Sequence, residues 1–255
     1  MEDEALLNTC HRAVDAVRAA LEKVDDWSPP GRRPGQYAID LVADDAALEV
    51  LGSAGIGVLS EESGLHESGS GLVAVLDPVD GSTNASRGIP WYACSICVVD
   101  SDGPRVSVVA NLAQGVRYQA IRGVGAWIDG VSLRPSGCAS LRSAVIGLSG
   151  FPHRHLGWAQ FRAFGAAALD MCGVAEGKLD AFSTGGSGGI APWDYMGALL
   201  VCTEAGAPVA ELHGQPLVTL EMGVRRSIAA AATTQLLQEL SAAHSVAGAA
   251  SSKTG

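Results

Sequence analysis

The sequence predicts an α/β fold in two halves, and three observations carry that prediction. The chain opens with an amphipathic helical period. A run of short apolar segments between residues 93 and 128 is cut by Gly and Asp-Gly turns, the pattern of an antiparallel meander. Beyond residues 135–139, strand-like and helix-like segments alternate, as in a mixed sheet covered by helices. The expected division is 1–137 and 138–245, with 246–255 as a small, polar, disordered tail. At 255 residues and 47% hydrophobic, the chain can bury a sizeable core.

The elements follow in order. Leu6, Leu7, Ala13, Val14, Val17, Leu21 and Val24 recur at the helical period and predict a helix over 4–26, stopped by Ser28-Pro29-Pro30-Gly31. Arg32 and Arg33 follow in a Gly/Pro-rich loop, as solvated charges in preference to phosphate contacts. Asp44-Asp45 opens a second helix through Glu49 and Leu51. A strand over 57–59 leads into Ser60-Glu61-Glu62-Ser63, and 63–71 reads as a flexible connector. The apolar run 72–76 ends in Asp77-Pro78-Val79-Asp80-Gly81-Ser82-Thr83-Asn84. The meander then takes 93–99, 105–112, 116–121 and 126–128, with Ser101-Asp102-Gly103 as a hairpin turn. In the second half, 144–148 and 179–182 read as strands around a helix that ends near Glu176. The Gly-rich stretch 183–190 reads as a lid, Asp194 opens a helix through Glu204, 208–212 and 226–232 are strands, and 234–243 is a closing helix.

Charge and composition exclude several functions. A formal net charge of -10 argues against nucleic acid as a partner, because phosphate backbones need basic surface. The acidic start Met1-Glu2-Asp3-Glu4 is not a signal peptide, and no apolar run reaches the roughly 20 residues of a membrane span. The expectation is a soluble, cytoplasmic protein with no membrane partner. Cys94 and Cys97 have C-x-x-C spacing, but residues three apart on a strand point to opposite faces, so packed core thiols are expected.

The stretch from Asp77 to Asn84 carries the chemistry. Two carboxylates and the Val79 carbonyl can face one point, the donor set of a hard divalent cation. Gly81, Ser82 and Thr83 supply amides and hydroxyls suited to a phosphate oxyanion. Read alone, the same turn is also a loop with helix-capping side chains. No P-loop lysine or dinucleotide fingerprint is present, which sets aside an unrelated nucleotide-binding module.

Together these stretches resemble the inositol monophosphatase family of metal-dependent, lithium-sensitive phosphatases. Ser60-Glu61-Glu62-Ser63 matches G-E-E-S with serine for the glycine, and Asp77 to Asn84 meets D-P-[IVL]-D-G-[ST]-x-N in full. Trp193-Asp194-Tyr195-Met196-Gly197 meets W-D-x-x-[AG], and Glu204-Ala205-Gly206 meets E-A-G. The resemblance implies a layered α-β-α-β-α sandwich of the inositol monophosphatase / fructose-1,6-bisphosphatase type, commonly a homodimer. It implies roughly two or three Mg2+ ions per active site. One ion would be held by Glu61, Asp77 and the Val79 carbonyl, another by Asp77, Asp80 and Asp194. The helix-start aspartate that orients the attacking water together with Ser82 is assigned to Asp45, with Asp44 as competitor and one residue missing after Asp40-Leu41-Val42. Gln36 lies near where a lysine is usual. The substrate contacts implied are Asp80, Gly81, Ser82, Thr83, Gly165, Ala166, Ser187 and Asp194. Ala166 replaces the usual hydroxyl residue, and Ser187 stands where many members place an acidic selector of substrate hydroxyls. The implied activity is Mg2+-dependent hydrolysis of inositol monophosphate or a related sugar phosphate. Histidinol phosphate, fructose 1,6-bisphosphate and adenosine 3',5'-bisphosphate are alternatives. A metal-binding regulatory protein without turnover is the alternative of another class.

Overall fold

The computed structural model describes residues 1–28, 30–32, 36–186 and 188–251. Two helices, α1 (Asp3–Leu21) and α2 (Ala38–Ser53), form the first layer. They cover an eight-stranded sheet made of β1 (Gly57–Ser60), β2 (Gly64–His66), β3 (Val73–Asp80), β4 (Ala93–Asp100), β5 (Gly103–Asn111), β6 (Arg117–Ile121), β7 (Gly125–Ile128) and β8 (Val131–Ser132). Its order is β2-β1-β3-β4-β5-β6-β7-β8, and every pairing is antiparallel except β1 with β3. A short helix, α3 (Ser82–Ser86), follows β3 directly.

The second half supplies a five-stranded sheet of β9 (Val145–Ser149), β10 (Gln160–Arg162), β11 (Ala181–Thr184), β12 (Val209–Glu211) and β13 (Ile228–Ala231), in the order β10-β9-β11-β13-β12. Helices α4 (Ala167–Ala175) and α5 (Pro192–Ala205) lie between the two sheets, and α6 (Thr234–Ser251) covers the outer face. The result is a layered α-β-α-β-α sandwich, as the resemblance implies.

Alternation along the strands explains the layers. On β3, Ala74 and Leu76 pack with Leu6, Val14 and Ile39 of the first layer. Val75 points the other way and joins Met196 of α5 and Leu169 of α4 in the central core. On β13, Ile228 and Ala230 face that central core, whereas Ala229 and Ala231 face Leu236 and Leu240 of α6. Cys94 and Cys97 fall on opposite faces of β4, both buried and unpaired.

Three boundaries differ from the sequence reading. α1 ends at Leu21, short of residue 26. α2 starts at Ala38, well before Asp44-Asp45, because Ile39, Ala43, Ala47 and Leu51 form one continuous buried stripe at i, i+4 spacing. α6 continues to Ser251, into the segment expected to be a disordered tail. The short edge strands β2 and β10 lie where the sequence suggests only connectors.

Candidate active site

β1 and β3 run parallel, with Ser60 opposite Leu76, so their C-terminal ends open at one edge. The Glu61 amide donates to the Leu76 carbonyl at 3.1 Å and sets Glu61 beside Asp77. β3 pairs with β4 at Asp77 opposite Ser95 and again at Asp80 opposite Ala93, with a register shift between. The extra residue makes a bulge. Pro78 is tolerated there because it has no amide to leave unpaired, and the Val79 amide instead donates to Asp77 Oδ1 at 3.0 Å.

Asp194 arrives from the other half. It lies in the first turn of α5 behind Pro192, and its Oδ2 accepts the Ala191 amide at 2.7 Å. α5 lies close on the first sheet because Gly197 has no side chain. A Cβ there would sit 2.6 Å from Ser95 Oγ and 3.0 Å from Val109 Cγ2. Carboxylate oxygens of Glu61, Asp77 and Asp194 consequently lie within 4.8 Å of one another. Asp80 turns toward α4, where its oxygens accept the Ala167 amide at 3.2 Å and the Ala168 amide at 2.7 Å.

These groups resist ionising together. Burial first, then the charges of Asp194, Glu62 and Asp40, push the Glu61 carboxyl up to about 8. Asp77 and Asp80 are raised well above the ordinary carboxylate range, by burial first and then by their neighbours' charges. Burial raises Asp194 to about 6, against the lowering effect of the Ala191 amide and Arg225. A set of hard oxygen donors that repel one another is what a divalent cation compensates, so the residues present fit a metal of the magnesium type.

The phosphate-type turn follows. Gly81 has φ +88°, and a Cβ on it would meet Gly165 O at 3.0 Å, Trp91 O at 3.1 Å and Ala166 Cβ at 3.2 Å. Both the backbone twist and this close approach require glycine. Asn84 Nδ2 donates to the carbonyls of Trp91 at 2.8 Å and Phe164 at 2.7 Å, which ties the turn to the Gly165-Ala166 loop of the second half. Ser82 is half-buried at the start of α3, Thr83 is exposed, and Ala166 is the buried N-cap of α4. A cavity of about 380 Å3 opens beside this turn, lined by Asp80, Gly165, Ala167, Ile190, Asp194 and Arg225 among others.

One expected residue lies elsewhere. Asp45 is exposed in the interior of α2 and is not among the charges that act on Glu61 or Asp77. Its competitor Asp44 is buried but accepts a hydrogen bond from Ser60 Oγ. The carboxylate facing the cluster from this helix is Asp40, which caps the Tyr37 amide at 2.8 Å and acts on both Glu61 and Asp77. The sequence signal was the acid three residues into a helix whose apolar stripe starts at Ile39. Gln36 is buried and donates through Nε2 to Glu62. Ser187 and Arg33 lie outside the described residues.

Carboxylates from separate elements meet beside a glycine-forced turn and a cavity, an arrangement suited to a metal ion and an anionic ligand, on a five-layer sandwich. Comparison with known proteins agrees: a model described as the inositol monophosphatase family matches residues 36–248, and the chain belongs to that family. A fructose-1,6-bisphosphatase/inositol-1-monophosphatase of Archaeoglobus fulgidus is 36% identical over 227 residues, covering 85% of this chain and 88% of that protein. A Pasteurella multocida protein named Nus factor SuhB is 28% identical, covering 82% of this chain and 84% of that one. In structure, a Pyrococcus horikoshii protein described as similar to inositol-1 monophosphatase superposes with a TM-score of 0.86 at 22% identity, covering 95% of this chain and 99% of that one. The chain is accordingly a hydrolase of phosphate monoesters.

Proposed function

We propose that the protein hydrolyses inositol monophosphate or a related sugar phosphate with Mg2+ as its metal. The observation that carries this reading is the convergence of Glu61, Asp77 and Asp194 within 4.8 Å, beside a phosphate-type turn and a cavity. Glu61, Asp77 and Asp194, with Asp80 and the Val79 carbonyl, would hold Mg2+, which supplies charge for the phosphoryl oxygens and a more acidic bound water. Asp40, in place of Asp45, accepts a proton from the attacking water, with the Ser82 hydroxyl orienting it. The amides and hydroxyls of Gly81, Ser82 and Thr83 take the phosphoryl oxygens. Asp80, Asp194 and the Gly165-Ala166 backbone position the alcohol portion of the ester.

The name of the Archaeoglobus fulgidus relative supports both inositol phosphate and fructose 1,6-bisphosphate as substrates. The competing reading, a metal-binding regulator without turnover, draws support from the relative named a Nus factor. Phosphate release from a panel of small esters decides between them. Release that needs Mg2+ and is suppressed by Li+ supports the phosphatase, and metal binding without release from any ester supports the regulator. No helix of the described residues is long and apolar enough to cross a membrane. A cytoplasmic homodimer is part of the proposal. Phe161 on edge strand β10 and Phe151 against it are exposed and offer apolar surface for it, and the mass in solution tests it.

A further inference from the structure

We propose that Arg225 selects among phosphate esters, favouring those with a second anionic group over neutral polyol esters and over esters bearing an amine. The inference rests on the phosphatase reading above and reorders its substrates, placing sugar esters with a second anion ahead of inositol monophosphate.

Arg225 and Arg226 are consecutive residues with different tasks. Arg226 is bridged to Ile190, donating its amide at 2.8 Å and accepting the Ile190 amide at 2.9 Å. Gly189, at φ +59°, makes room for that bridge, since a Cβ on it would lie 2.7 Å from the Arg226 carbonyl oxygen. The bridge fixes the arginine pair against the loop that leads into Asp194. Arg226 is half-buried, and its Nε is tied to the Pro216 carbonyl at 2.8 Å. Neighbouring side chains on extended backbone point opposite ways. Arg225 accordingly turns to the other side, where it is exposed and lines the cavity that also holds Asp80 and Asp194.

Arg225 makes one long hydrogen bond, Nη1 to the Gly189 carbonyl at 3.3 Å, and has no ion-pair partner within 4.0 Å among the described residues. Most of its five guanidinium donors are therefore available to a ligand. Apart from the Asp80 and Asp194 carboxylates, which the proposed metal would engage, the lining is uncharged and includes Leu148, Ala163 and Gly165, so Arg225 is its one cation among the described residues. An ester whose scissile phosphate sits at the Gly81 turn extends its far end into this cavity. A guanidinium there matches a phosphate or carboxylate in a two-point contact and repels an ammonium. A purely local role, offsetting the charge of Asp194, would instead affect every ester alike.

The test compares wild type, Arg225→Gln and Arg225→Lys, each with Mg2+. The esters are inositol 1-phosphate, fructose 1,6-bisphosphate, a phosphorylated sugar acid and histidinol phosphate. Expected is a wild-type preference for the two esters with a second anion. Arg225→Gln lowers kcat/KM on those, chiefly through KM, at least tenfold more than on inositol 1-phosphate, and Arg225→Lys recovers part of the loss. The bisphosphate and sugar-acid arms tell whether the second group is phosphate or carboxylate. Equal losses on all esters, or no loss, overturn the role of Arg225 and leave the phosphatase reading standing. No release by wild type from any ester overturns that reading, and this proposal with it.

Discussion

Asp40 and Asp45 lie little more than one turn apart on α2, and that distance separates a buried carboxylate from a solvated one. Asp40 acts on Glu61 and Asp77, and Asp45 does not. Replacing Asp40 by Asn keeps an oxygen for the Tyr37 amide but removes the proton acceptor. Asp40→Asn should lower kcat about 100-fold. Asp45→Asn should stay within about twofold, as surface changes do. Steady-state kinetics on one good ester checks both, and the reverse ranking would return the role to Asp45. The acidic pair Asp44-Asp45 reads as a helix start because two acids in a row are a strong capping pattern. The apolar stripe from Ile39 was the better guide, since burial of four residues outweighs one cap. Glu61, Asp77, Asp80 and Asp194 were legible because each sits in a motif that the chain matches in order, but nothing in the sequence showed that Asp80 turns to the amides of α4.

At the level of elements, the site depends on how closely α5 approaches β4 and β5. Gly197 sets that approach, so a large side chain there must lift the helix or displace Ser95 and Val109. Gly197→Leu should cost about 1–3 kcal/mol by overpacking. Because Asp194 rides on the same helix, metal affinity should fall along with stability. Thermal unfolding with and without Mg2+ checks this, and a variant that keeps the full metal-induced rise in Tm would contradict it. The strand and helix content of both halves was readable from periodicity, whereas β2 and β10 were not. Both are three-residue edge strands with largely exposed side chains, so no alternation marks them. The bulge at Pro78 was visible only as a proline that a central strand would not accept.

Over the whole molecule, the two sheets and the helices between them converge three carboxylates that would otherwise separate, and pH exposes the cost. Burial and neighbouring charges push the Glu61 carboxyl up to about 8, and burial pushes the Asp194 carboxyl up to about 6, in the absence of metal. Both values lie above the roughly 4 of an unfolded carboxyl. Between these values the folded state holds more protons than the unfolded one, so metal-free stability falls as pH rises from about 4 to about 8. Metal needs the ionised form, so Mg2+ affinity rises over the same range and binding releases protons. Unfolding midpoints from pH 5 to 8, with EDTA or Mg2+, should therefore diverge, and parallel curves would contradict the account. The five layers followed from family resemblance more than from periodicity, because alternation assigns faces but not which sheet a helix covers. On this reading Glu61, Asp77 and Asp194 jointly hold the metal that makes the ester labile. The most direct measurement is phosphate release by wild type and Asp77→Asn across a Mg2+ titration, with metal-free Tm as the control for folding. Asn keeps the oxygen that accepts the Val79 amide and cannot ionise among the other carboxylates. The expected result is a metal-free Tm at or above wild type, and turnover lost at every Mg2+ concentration. Mg2+-dependent release by Asp77→Asn near the wild-type rate would contradict it.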